Sequence, residues 1–434
     1  MTTASKAPPL SALKSRQVQW IGAGYLLAFA SMAGQTIFIA QFNTSLRAEF
    51  GLSHGQFGSL YTIATLFSSI VLIWAGGLAD KIAPRTLGAI CLIGLVLVAL
   101  SMATVQNTFW LGVTLFGLRL FGQGMMMHIS MTTMSRWFNR FRGRALAIAA
   151  LGTSTGDALL PFATTLLIAS IGWRQSWLVT AGFWLLVLLP AIVFLLRDPP
   201  DGKRAKAAGE INPDGDTSLV TYGTQWTRRA VLRDPIFWLI IPGFMGPPAI
   251  GTLFLFHQAH LTVLKDWDLT LFTAQFPVLS ITAVVTGLVT GNLIDRFSAW
   301  RLLPIVLLPQ GVGCLLIGFF DPFWLIPLFF MSFGMTAGLM GPTGGALWAE
   351  LYGTANIGRI RALATSAMVF ASAIGPGLAG WLIDANVKLD VQAFYYAAYC
   401  FVVAVIYWLT RQKFAARIAA IEIEKAALQI APSS

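Results

Sequence analysis

Charged side chains are scarce in this chain. Asp, Glu, Lys and Arg together make up 11% of its 434 residues, against roughly 25% in an ordinary soluble domain. So few polar groups cannot cover the surface of a large water-soluble protein, which argues against a soluble enzyme. Long polar tracts are few, apolar residues make up 56%, and mean hydropathy is +0.71, which excludes disorder. Cysteine is nearly absent. Cys91, Cys314 and Cys400 lie far apart in apolar runs, with no spacing for a disulfide framework or a metal site. Paired catalytic acids, a metal cluster and a nucleophile–base set are missing from the apolar segments, so no enzyme activity and no cofactor are expected. Period-2 alternation is missing too, which argues against an outer-membrane barrel. What is left is an integral membrane protein with lipid as its solvent.

A membrane helix needs about 20 mostly apolar residues. Twelve such runs follow one another, at 20–42, 55–78, 86–104, 108–133, 145–168 and 174–196, then 236–260, 271–293, 302–319, 322–346, 362–384 and 392–410. The expected fold is all-α: twelve transmembrane helices in two six-helix bundles. The expected organisation is a tail at 1–19, a first bundle at 20–196, a linker at 197–235, a second bundle at 236–411 and a tail at 412–434. The linker alternates basic and acidic residues with Pro, Gly, Asp and Asn, the composition of a flexible segment. The polar N-terminus has no early apolar core with a cleavage site and reads as a retained tail.

Net charge is +11, and its distribution explains it. With the N-terminus in the cytoplasm, 24 Lys and Arg fall on cytoplasmic segments. Four, Arg47, Arg174, Lys265 and Lys388, fall on outer loops, and Arg119 falls inside a membrane run. This asymmetry is the positive-inside signal of a plasma or inner membrane protein with both termini cytoplasmic. It accounts for the basic charge without nucleic acid as a partner. The expected partners are the bilayer and a small-molecule substrate, and a monomer is expected.

Two segments repeat. Gly76-Gly77-Leu78-Ala79-Asp80-Lys81, followed by Arg85, matches Gly291-Asn292-Leu293-Ile294-Asp295-Arg296, followed by Arg301. Arg144-Ala145-Leu146-Ala147 matches Arg361-Ala362-Leu363-Ala364. The offsets are 215 and 217 residues, half the chain, and the copies occupy equivalent places in the two halves. Duplicated six-helix halves are a transporter architecture, with the substrate near the midplane. On these residues the chain resembles the major facilitator superfamily of transporters over nearly its full length. Leu118-Arg119-Leu120-Phe121-Gly122-Gln123-Gly124 is similar to that superfamily's helix 4 pattern. Trp137-Phe138-Asn139-Arg140-Phe141-Arg142-Gly143-Arg144-Ala145, with Gly152, Gly156 and Pro161, resembles its monocarboxylate and oxalate/formate branch, as do Gly172-Trp173-Arg174, Leu196-Arg197-Asp198-Pro199-Pro200 and Gly375-Pro376-Gly377 with Gly380. The resemblance implies alternating access and, from the branch, a carboxylate substrate. Gly287 stands where the oxalate/formate pattern carries an arginine, and helix 11 has no lysine. Arg119 is then the single mid-membrane cation.

Ionisable groups inside a membrane are costly and mark function by default. Asp157 lies about 12 residues into the fifth run, ~18 Å deep at 1.5 Å per residue. Arg119 lies at a similar depth in the fourth. The two are expected to interact, either as a static pair or as a switch in which Asp157 takes up a proton. Gln35 in the first run and Gln123 in the fourth are candidate substrate contacts with Arg119, or else interhelical hydrogen bonds. His128 reads as interfacial. His257 and His260 share a helix face, too few for a zinc site, and read as a solvated pair or a pH-sensitive gate. Asp80, Lys81, Arg85, Asp295 and Arg296 sit at helix ends. The resemblance implies a conformational gate there, acting through charge and helix dipoles. Glu350 is expected to pair with Arg359 or Arg361. The expected function is secondary transport of a small polar organic solute, an organic carboxylate by resemblance. Proton-coupled efflux of apolar or cationic compounds is the alternative, and a membrane sensor without transport is the alternative of another class.

Overall fold

The computed structural model describes residues 15–138, 142–197, 226–353 and 356–430. Residues 1–14 of the expected tail, residues 139–141 of the branch motif, most of the linker (198–225) and residues 431–434 lie outside the described residues, as do the side chains of Asp80 and Arg142.

Every regular element among the described residues is helical. The chain runs α1 (Ser15–Ala30), a 3₁₀ turn (Ser31–Gly34), α2 (Thr36–Ile39), α3 (Asn43–Phe50), α4 (His54–Ala75), α5 (Leu78–Lys81) and α6 (Pro84–Thr104). Then come α7 (Thr108–Gly117), a π-helical stretch (Leu118–Met126), α8 (Met127–Trp137), α9 (Arg142–Ile171), α10 (Trp173–Phe183), a second π stretch (Trp184–Leu188) and α11 (Leu189–Leu195). Beyond the linker lie α12 (Arg228–Arg233), α13 (Pro235–Phe256), α14 (Gln258–Leu264), α15 (Leu269–Thr273), α16 (Phe276–Phe297), a 3₁₀ turn (Ala299–Leu302), α17 (Leu303–Val306), α18 (Leu308–Phe319), α19 (Leu325–Tyr352), α20 (Ile357–Asp384) and α21 (Leu389–Ile430).

Local chemistry sets these boundaries. Asn107 caps α7 by accepting from Trp110 N, and Asp268 caps α15 by accepting from Leu271 N, as short polar side chains do for the orphan amides of a first turn. Asp234 caps α13, with Pro235 at the first helical position, where its missing N–H costs nothing. Gly172, at φ +82°, makes the turn between α9 and α10 in a region L-residues avoid.

Among the described residues, ten helices are long and apolar enough to cross a membrane, or eleven if the pair Arg16–Gly34 and Thr36–Phe50, bent by 47°, is one span. The remaining expected segment, Thr108–Trp137, is helical throughout but carries Arg119 and Gln123 in its middle. The first expected run, 20–42, is therefore not one helix. It breaks at Gln35, which is extended at φ −77° and ψ 147°. The repeat also differs from its reading as two loops. The first copy turns at Gly76-Gly77 before α5, whereas the second stays inside the last turns of α16. It has one glycine where the first has two, and the chain turns only at Ser298, at φ +70°. Glu350 does not bridge to Arg359 or Arg361. Its carboxylate accepts the Ala299 amide at 2.8 and 3.1 Å and the Trp300 amide at 3.4 Å, because this 3₁₀ turn offers it unpaired N–H groups.

The described residues among 1–51 and 63–217 form one compact unit, and those among 52–62 and 218–434 form another. Glycine lets the main helix pairs meet at backbone distance. In the first unit α1 runs against α9, where a Cβ on Gly152 would stand 2.1 Å from Tyr25 O. In the second, α13 meets α20 at Gly375, 2.5 Å by the same measure from Ala249 O, and α16 meets α19 at Gly334 and Gly338. Without a hydrophobic drive between helices in lipid, such close contact is what holds them together.

One buried cluster ties the start of the second unit to its last helix. The Asp234 carboxylate, 5% exposed, receives both Arg417 Nη atoms at 3.1 Å and Tyr352 Oη at 2.9 Å. The Arg417 guanidinium lies over the Trp226 ring at 4.7 Å. Removing one member of a buried ion pair leaves the other charge uncompensated, a loss of about 3–5 kcal/mol. Asp234→Ala should lower the melting midpoint of the detergent-purified protein strongly. Tyr352→Phe, losing one hydrogen bond, should cost only about 1–2 kcal/mol on the same assay.

Candidate substrate site

The site in the first unit is built on the break in the first membrane segment. In an unbroken helix the Gly34 carbonyl would receive the amide of Phe38. Here Gln35 takes that role: Phe38 N and Ile39 N both donate to Gln35 O, at 3.2 and 3.1 Å. The Gly34 carbonyl is thereby released, and a carbonyl left without a partner in the membrane costs several kcal/mol. Arg119 Nη1 supplies the bond at 2.7 Å.

That bond needs the fourth segment to come very close. A Cβ on Gly34 would stand 2.1 Å from Leu118 O and 2.5 Å from Gln123 N, and one on Gly122 would stand 2.5 Å from Gly34 N. Two glycines facing each other let the backbones touch. The fourth segment is π-helical from Leu118 to Met126, a geometry concentrated at functional sites. Arg119 is 2% exposed and gives Nη1 to this carbonyl inside the unit.

The fifth segment reaches the same turn. Gly156 packs on Met32, where an added Cβ would be 2.2 Å from Met32 Cγ. Asp157, the next residue, is partly exposed. The expected contact between Arg119 and Asp157 is not made: the guanidinium is turned to Gly34, and among the described residues no hydrogen bond or ion pair reaches the Asp157 carboxylate. Equal depth on neighbouring helices did not place the two on facing sides. Arg119 binds Gly34, and Gly156, the neighbour of Asp157, packs on Met32 of the same turn. Gln35 and Gln123 are partly exposed at this break, and no described side chain or backbone group bonds their amides. Other polar groups nearby are used internally. Tyr25 Oη donates to Thr155 Oγ1 at 2.8 Å, and Thr165 Oγ1 donates to Gln41 Oε1 at 3.0 Å.

The expected gate residues lie away from this turn. Lys81 and Arg85 are exposed near the start of α6, Asp295 and Arg296 are exposed at the end of α16, and Asp80 lies on α5. The first-copy loop is held by Arg136 Nη1, which donates to Ala79 O at 2.8 Å, and by His128 Nε2, 3.1 Å from Gly76 O. The role of Arg136 was not legible in the sequence, where it is one basic residue among several. Lys265, an expected outer-loop cation, is buried against Asp321 and the Phe320 carbonyl.

A multi-pass helical membrane protein with two units, a broken first segment and buried polar groups beside the break is built as a carrier. The chain belongs to the Major Facilitator Superfamily, whose sequence profile matches residues 24–332 and 262–427. Among curated proteins it is 23% identical over 189 residues to the MFS transporter asaE of Aspergillus flavus, covering 42% of this chain and 38% of that one. It is 27% identical over 259 residues to an uncharacterised 38 kDa protein in the 23S RNA operon of Thermoproteus tenax, covering 59% and 60%. The chain thus spans less than two thirds of either relative. Among solved structures, it superposes on a bacterial homologue of the human lysosomal transporter Spinster, inward-facing and unoccupied, with a TM-score of 0.67, 16% identity and coverage of 95% and 96%. A crystal structure of the nucleoside transporter NupG, a point mutant, gives a TM-score of 0.67 at 14% identity, covering 91% and 99%. These structures share its fold.

The glycine contact at the break yields a direct test. Gly34→Ala or Gly122→Ala should force the two backbones apart, an overpacking loss of about 1–3 kcal/mol or more, and lower the melting midpoint. Gly182→Ala, at a position with nothing within 4 Å, should leave it unchanged or raise it.

Proposed function

We propose that the chain is a secondary carrier that moves a small organic monocarboxylate together with a proton by alternating access, with both termini in the cytoplasm. The observations that support this reading are the Arg119 bond to Gly34 O, the packing of Gly156 on Met32 of the same turn, and the carboxylate of the next residue, Asp157, which no described group bonds. A proton on Asp157 removes one negative charge from the fifth segment, and a carboxylate solute supplies one in its place. Proton and anion then bind together and leave together, so the step is electroneutral. Gln35 and Gln123 offer amide groups for the polar parts of the solute, in keeping with a pocket that needs few polar contacts. The similarity of Trp137–Ala145, with Gly152, Gly156 and Pro161, to the monocarboxylate and oxalate/formate branch favours the same solute class.

A second reading has its own support. Arg119 is engaged on Gly34 O, whereas the Asp157 carboxylate is partly exposed. Such an arrangement suits export of apolar cations against protons, with Asp157 attracting the cation.

The two readings separate in a thermal-shift screen on the purified protein, since a ligand raises stability in proportion to its occupancy of the folded state. Monocarboxylates should raise the melting midpoint, increasingly so as pH falls. Stabilisation by cationic compounds alone would overturn the carboxylate reading in favour of export. In proteoliposomes, Asp157→Asn should keep counterflow of labelled solute but lose the dependence of net uptake on a pH gradient. Retention of the full pH dependence by this variant would sink the proton role.

A further inference from the structure

The N-terminal turns of α4 are seated in the second unit although the rest of the helix belongs to the first. The seat is a backbone-tight zipper with α20. A Cβ on Gly380 would stand 2.4 Å from His54 O, and one on Gly58 would stand 2.6 Å from Pro376 O. Thr62 Oγ1 donates to Ala373 O at 2.6 Å, and Trp381 Nε1 donates to Ser59 Oγ at 2.8 Å. At the helix start, Asp384 at the end of α20 accepts the Ser53 hydroxyl at 2.5 Å and the His54 and Gly55 amides at 3.1 and 2.8 Å. A carboxylate from α20 therefore caps α4, where the helix dipole favours negative charge.

Three of the chain's four histidines meet at this seat. The His54 ring is 4.5 Å from that of His260 and 5.5 Å from that of His257, centroid to centroid. His257 is 1% exposed and its Nε2 lies 2.8 Å from Pro376 O, an acceptor that holds the proton on that nitrogen. His54 and His260 are partly exposed and open to protonation. Asp384 from α20 and His257 from the α13–α14 junction are titratable groups that lie against His54.

We infer that this histidine cluster makes the seating of the α4 N-terminus acid-labile, so that protonation of His54 and His260 releases it from the second unit. Above the ordinary imidazole range near ~6.5 both rings are neutral and pack edge to face. Below it they become like charges in contact. The Asp384 carboxylate beside His54 already holds three donors. His54 as a cation also sits at the positive end of the α4 dipole, the wrong end for its charge. Repulsion between His54 on α4 and His260 on α14 therefore acts against the seating of the α4 N-terminus. By the distribution of basic residues this end faces outward, and the cluster would read external pH. The inference concerns the state of α4 and stands whatever solute the carrier takes.

The test is hydrogen exchange on the full-length protein in nanodiscs, following the 52–62 peptide at about pH 8 and about pH 5.5, either side of the imidazole range, after correction for intrinsic exchange rates. The His54 and Gly55 amides are the ones Asp384 holds. Wild-type protection should fall by roughly tenfold or more at the acid pH, as a local opening would produce. The His54→Gln/His260→Gln double variant should keep its alkaline level of protection at both pH values, and His260→Gln alone should lose most of the response. His128→Gln, in the first unit, should respond as wild type. Equal protection at the two pH values in the wild type, an undiminished response in the double variant, or loss of the response in His128→Gln would each overturn the inference.

Discussion

Hydrocarbon offers the backbone no hydrogen bonds, so each N–H and C=O inside the membrane has to find its partner within the protein. The first segment of this chain breaks that rule locally and then repairs it. Opening the helix at Gln35 releases the Gly34 carbonyl, and the buried Arg119 guanidinium takes it. The glycine-to-glycine approach of Gly34 and Gly122 exists to allow that bond, and the packing of Gly156 on Met32 follows from the same turn. A charge that would otherwise be prohibitive at this depth thus becomes a fastener of the first unit, and it brings Gln123 beside the break at Gln35.

The same constraint recurs at other sites with different chemistry. Along α13, where Pro242, Pro247 and Pro248 interrupt the regular pattern, carbonyls accept from Tyr399 Oη, Gln310 Nε2 and Thr252 Oγ1. At the ends of segments, carboxylates meet exposed amides. Glu350 binds the Ala299 turn, Asp234 starts α13 while holding Arg417, and Asp384 caps α4 from another helix. The two halves solve equivalent junctions with opposite charges. Arg136 holds a carbonyl within the first repeat copy, and Glu350 holds amides after the second. The difference follows the local backbone, because the first copy turns at a Gly-Gly pair and presents C=O groups, while the second runs on as helix to a 3₁₀ start with free N–H groups.

These arrangements connect stability with movement. Glycine contacts make tight seams along helix pairs, and charged caps close their ends. A seam without side chains at its centre has two states, closed or apart, with little between them, because close-packed surfaces do not deform continuously. The α4 seat on α20 is such a seam and carries titratable rings at its edge, whereas the α1–α9 seam is lined by Tyr25, Thr155 and Met32 and closed by internal bonds.

How much of this could be read in the amino-acid order follows from the range of each interaction. Composition and run length established a helical membrane protein, the duplicated motifs established its two halves, and the glycines at 152 and 156 announced a close helix contact, because each of these signals is local or periodic. Depth along a segment could also be counted, which brought out Arg119 and Asp157. What the order of residues could not show was azimuth and partner. The Ala33–Thr36 stretch has no proline and reads as continuous helix; its break is decided by a glycine and an arginine some 85 residues away. Asp384 is 330 residues from the amide it caps, and His54 joins His257 and His260 only when α4 and α20 close on their glycines. The sequence by itself determined the solvent, the helices and the duplication, since lipid demands apolar periodic segments whatever their neighbours. The tertiary structure alone decided which carbonyl the buried arginine serves, which carboxylate no described group bonds, and which histidines meet, since those depend on the directions in which packed helices face.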